Sequence, residues 1–154
     1  MNGLALWLAG AGLAAAGAGA VPRWHAAELG HGQQAVWTMP QILIYRDSAS
    51  FRSAWGQLFP AAVSRPALPA VDFAKWRVIL IAAGTKPTGG YYLTLASGQL
   101  VRDSAVVTVT VHTPAPDCGV TEALTSPAVA IAMPIVPAPF RIVFHERADS
   151  ARCN

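Results

Sequence analysis

The stretch Gly84-Thr85-Lys86-Pro87-Thr88-Gly89-Gly90-Tyr91 gathers residue types that could do chemistry. Glycine-rich turns can point successive backbone N–H groups at an anion, and a nearby lysine adds positive charge. The order here is wrong for a phosphate loop, which places Gly-Lys-Ser/Thr at the start of a helix. Lys86 precedes Gly89-Gly90, and those glycines open an alternating, strand-like run. The composition equally suits a strand-to-strand connection in which Pro87 presets φ and the glycines take positive φ or form a bulge. Tyr91 and Tyr92 beside it suit contact with another protein, or a core ring with its hydroxyl at the sheet edge. Lys86, Pro87, Thr88, Gly89, Gly90 and Tyr91 are therefore the candidate partner-binding residues.

No other constellation competes with this loop. Gly-x-Ser-x-Gly, His-Glu-x-x-His and paired-carboxylate signatures are missing, so no catalytic residue is assigned and the chain reads as a non-enzyme. The one trio worth naming is His112, His145 and Asp72, if the fold brings them together. The four histidines show no regular ligand spacing, so no metal and no other cofactor is expected. Cys118 and Cys153 are the only cysteines, a candidate disulfide closing a loop of about 35 residues and worth roughly 4 kcal/mol in the chain-entropy account. The alternative is two free thiols. Neither a redox nor a haem-attachment motif is present.

The 154 residues allow one domain with a real core. Hydrophobic residues make up 53% and charged residues 12%, which excludes disorder driven by charge. The net charge of +3 is scattered singly, so a nucleic-acid footprint is not expected. Residues 4–20, LALWLAGAGLAAAGAGA, are uncharged and end in Ala-Gly-Ala, which reads as a secretory signal peptide over 1–20. The expectation is export to the periplasm or the medium, an uncleaved membrane anchor being the alternative.

Residues 21–33 read as a loosely ordered lead-in and 148–154 as a C-terminal tail, with a single domain over 34–147. Residues 35–46 are β-rich and broken at Pro40. Asp47-Ser48 can cap a helix whose Phe51, Trp55, Leu58 and Phe59 fall on one face. Residues 60–70 hold three prolines and end it. Residues 77–83, RVILIAA, form a continuous apolar run, as in a strand buried on both faces. Residues 91–96 and 105–112 alternate as half-buried strands, with turns at Ser97-Gly98 and at Arg102-Asp103-Ser104. Residues 113–127 are a long turn-rich connector, and 129–133 and 140–145 read as closing strands. The fold class is α+β: a mostly antiparallel sheet or sandwich of six to eight strands with one amphipathic helix packed on it.

In this order, SFRSAW (50–55), VDF (71–73), GTKPTGGY (84–91) and TEALTSP (121–127) resemble the protease complex subunit PrcB family. The resemblance spans about Ile42 to Phe144. It implies an exported or lipid-anchored, non-enzymatic β-rich domain whose partner is another protein, a protease in the founding example. No catalytic residue comes with it. The chain departs from the family at Ala128, where an aromatic is common, and in the proline-rich 134–139. GTKPTGGY also resembles a loop of chagasin-like protease inhibitors, which implies direct protease inhibition as the alternative function.

Overall fold

A computed structural model describes residues 25–60 and 64–149. The expected signal peptide and Cys153 lie outside the described residues.

Helix α1 (Ser48–Leu58) starts where Asp47 caps it, its carboxylate accepting from the Ser50 N–H at 2.8 Å. That bond satisfies one of the donors a helix N-terminus leaves unpaired. Phe51, Ala54, Trp55 and Leu58 are buried on one face. Trp55 also donates its indole N–H to the Pro66 carbonyl, 2.9 Å away, which ties the proline-rich loop back over the helix.

Among the described residues seven strands follow the order β1 (Ala27–Gly32), β2 (Pro40–Tyr45), β3 (Trp76–Ala83), β4 (Tyr92–Val101), β5 (Ser104–Pro114), β6 (Ala128–Pro134) and β7 (Phe140–Asp149), with α1 between β2 and β3. One sheet runs β1-β6-β3-β2, entirely antiparallel; the other runs β4-β5-β7. In the second sheet β4 and β5 are antiparallel but β7 joins β5 in parallel. The α+β, largely antiparallel architecture is the one expected from the sequence.

β3 explains the layering. Its side chains alternate between two cores: Val78, Leu80 and Ala82 pack beneath α1, while Ile79 and Ile81 pack against Leu93, Val107 and Val109 of the smaller sheet. A strand flanked on both faces needs no polar alternation, which is why it reads as an unbroken apolar run. The result is three layers, helix on sheet on sheet, with β3 and β6 in the middle.

The structure corrects three local readings. Residues 27–32 are not a loose lead-in but strand β1, antiparallel to β6. Its burial pattern is irregular because a bulge between Glu28 and Gly30 breaks the period of two. β7 runs to Asp149, two residues into the segment read as tail. Ser97-Gly98 is not a turn; it lies within β4, where the register slips between Leu95 and Ser97. The hairpin turn is at Arg102-Asp103, with Arg102 at a φ of 54°.

Candidate functional site

GTKPTGGY leaves the end of β3 and enters β4, and three of its residues are fixed by backbone geometry. Gly84 has a φ of 71° and Gly90 of 85°, in the left-handed region that side chains resist. A Cβ on Gly84 would also sit 2.7 Å from Pro40 Cδ, and one on Gly89 would sit within overlap of Thr121 Oγ1. The glycines are there because the chain turns and a second segment passes close by.

That second segment is the 113–127 connector. Lys86 N–H donates to the Thr125 carbonyl at 2.7 Å, and Thr125 N–H returns a bond to Lys86 at 3.1 Å. Gly89 N–H donates to the Thr121 carbonyl at 3.0 Å. Thr125, only 3% exposed, donates its hydroxyl to the Thr88 carbonyl at 2.8 Å. On the other side Thr85 N–H donates to the Thr38 carbonyl at 2.9 Å. The motifs GTKPTGGY and TEALTSP, 30 residues and more apart in sequence, are thus two halves of one hydrogen-bonded unit. Lys86 and Tyr91 are half-buried, with the ammonium 5.9 Å from the ring centroid, within cation–π range. Pro87 is exposed.

Beneath the unit lies a cavity of about 470 Å³. Gly89 and Gly90 line it from the loop, Pro114, Val120 and Thr121 from the connector, and His31, Tyr92 and Asp149 from β1, β4 and β7. The tyrosine that reaches it is Tyr92; Tyr91 does not. Tyr92 donates its hydroxyl to Asp149 Oδ2 and stacks flat on His112, ring centroids 4.1 Å apart at 5°. His31, paired with Glu28 at 2.7 Å, stacks on Tyr92 at 5.9 Å. The bonds from Tyr92 and then from His112 hold the Asp149 carboxyl below its ordinary pKa.

His112 is therefore not joined to His145 and Asp72. Its Nδ1 lies 3.0 Å from Asp149 Oδ2 and its Nε2 2.9 Å from Thr94 Oγ1. Asp72 instead accepts from Ala74 N–H at 3.0 Å and turns the chain into β3, while His145 is exposed on β7 opposite Thr110. The order hydroxyl, imidazole, carboxylate is that of a nucleophile with its base. Neither Thr94 nor His112 is among the residues that line this cavity, however. The arrangement satisfies both nitrogens of an imidazole that is 11% exposed.

Sequence reasoning missed Asp149 because its neighbours come from other strands, and Glu28 and His31 because β1 read as a loose lead-in. Cys118 Sγ lies 3.9 Å from the Asp149 carbonyl, which brings the connector to the end of β7, four residues ahead of Cys153. Among the described residues no group of three or more His, Cys, Asp or Glu could hold a metal ion, and no helix is long and apolar enough to cross a membrane.

Residues 77–134 match the model of the family described as PrcB C-terminal. The match begins at β3 and ends with β6, so it contains both halves of the hydrogen-bonded unit, while SFRSAW and VDF lie outside it. No curated protein and no solved structure matches the chain.

Proposed function

Because its central strands and loop carry the PrcB resemblance, we propose that this chain is an exported, non-enzymatic module that binds another protein as the accessory subunit of a protease complex. The contact surface is the rigid unit made by GTKPTGGY and the 113–127 connector, with Lys86, Pro87, Thr88 and Tyr91 as the residues a partner meets. The observation that carries this reading is the locking of the loop to the connector through Lys86, Gly89 and Thr125. A loop held at both strands and in its middle loses little entropy when a partner docks, and preorganised surfaces bind better for that reason. A connection serving only to turn the chain would not need a second segment bonded along it. Cys118 and Cys153 pair in this reading and fasten the end of β7 to the same connector.

The test is capture of partners from native envelope extract with the mature protein and with a variant in which Lys86, Thr88 and Tyr91 are all alanine. A protease or a protease-associated protein retained by the first and lost by the second supports the proposal. Identical partners on both would remove the loop from the account.

A further inference from the structure

Among the described residues four strands stand at a sheet edge: β1 and β2 in the larger sheet, β4 and β7 in the smaller, with Leu95 N–H of β4 donating to Glu28 of β1 at 2.7 Å. A free side offers unpaired N–H and C=O groups to any passing strand, and proteins guard it with bulges, charges or proline. β1 is bulged and carries Glu28 and His31. β4 is bulged between Leu95 and Ser97. β7 carries Arg141, His145, Glu146, Arg147 and Asp149. β2 has neither bulge nor charge: it pairs with β3 in unbroken register from Pro40 to Tyr45. Its only guard is Pro40 at the first position, which leaves five residues open. No described residue pairs with their outer side. Ile42 and Ile44 are 47% and 40% exposed, opposite Ile81 and Ile79 of β3.

We propose that β2 is a self-association edge, two copies pairing β2 with β2 antiparallel about a two-fold axis through Leu43. Opposed residues in an antiparallel pair share a face, so the axis must pass through a residue position. With Leu43 opposite Leu43 of the second copy, Ile42 of each chain meets Ile44 of the other and Gln41 meets Tyr45. The sequence Ile42-Leu43-Ile44 is a palindrome about that axis. An isologous interface has to be complementary to itself, and this one is: each exposed isoleucine covers another, with no charge set against a like charge. A strand from an unrelated protein would call for no such symmetry. The contact joins two larger sheets into one continuous sheet and leaves the GTKPTGGY unit free. It is small, so the expected dimer is weak, with Kd on the order of tens of micromolar.

Sedimentation of the mature protein across concentration tests this. The expected result is a reversible monomer–dimer equilibrium, weakened at least about tenfold by Ile44→Lys with the melting temperature unchanged. As a check that does not depend on that variant folding, Leu43→Cys should oxidise to a covalent dimer, because the two positions face each other directly. Ile42→Cys should cross-link far less. A protein monomeric up to about 0.5 mM, a dimer undiminished by Ile44→Lys, or equal cross-linking through Ile42→Cys would each overturn the proposal.

Discussion

His112 on β5 lies 3.0 Å from Asp149 on β7, and the same imidazole reaches Thr94 on β4 at 2.9 Å. One ring thus links all three strands of the smaller sheet. Asp149 is held from both sides, since Tyr92 of β4 donates to it across His112. The network stands where β7, the parallel strand reached by a crossover, is fastened to the hairpin and to the wall of the cavity.

The carboxylate makes this link dependent on pH. Hydrogen bonds from Tyr92 and His112 lower the Asp149 pKa in the folded chain. Its contribution to stability is therefore complete above the unfolded value of about 3.9 and lost as pH falls through the lower folded value. Asp149→Ala should reduce the melting temperature most at neutral pH, with the gap to wild type narrowing below about pH 4. Thermal unfolding from neutral to acid pH measures it, and a gap of constant size would contradict the role given to the ionised carboxylate.

Thr125 is the keystone between loop and connector. Thr125→Val keeps the volume but leaves the Thr88 carbonyl without its donor, which should cost about 1–3 kcal/mol. Thr125→Ser should retain most of the stability. Urea unfolding compares the two, and a larger loss in Thr125→Ser than in Thr125→Val would show that packing of the methyl group, not the hydroxyl bond, matters here.

Gly84 answers for the exit from β3. Gly84→Ala places a Cβ against Pro40 and the Met39 backbone at a φ of 71°, and the left-handed backbone alone costs about 1–2 kcal/mol. A calorimetric loss at least that large is expected. No loss would mean that the turn relaxes to a conformation any residue accepts.

Much of this was legible before the fold was known. RVILIAA named the central strand because β3 is covered on both faces, and the Asp47 cap with its i, i+4, i+7 apolar residues named α1. Proline and glycine placed GTKPTGGY between strands. What stayed hidden is non-local: β1 lost its alternation to a bulge, and nothing in a linear reading shows that Thr121 passes Gly89 or that Asp149 meets His112. The parallel approach of β7 is a crossover, which period and composition do not encode.

The proposed Cys118–Cys153 pairing would extend the same fastening to the C-terminus. Exported protein should resist alkylation at both cysteines until reduced, and reduction should lower its melting temperature, the chain-entropy account allowing up to roughly 4 kcal/mol. Alkylation of two thiols in unreduced protein, followed by mass spectrometry, would show the pairing to be wrong.

The account rests on the GTKPTGGY unit being a contact surface. Its most direct measurement is affinity capture from the native envelope with wild type and with Lys86→Ala, Thr88→Ala and Tyr91→Ala combined, both checked for equal melting temperatures. The account predicts a partner set containing a protease or protease-bound protein, lost in the triple variant. The same proteins recovered in equal amount by both would contradict it.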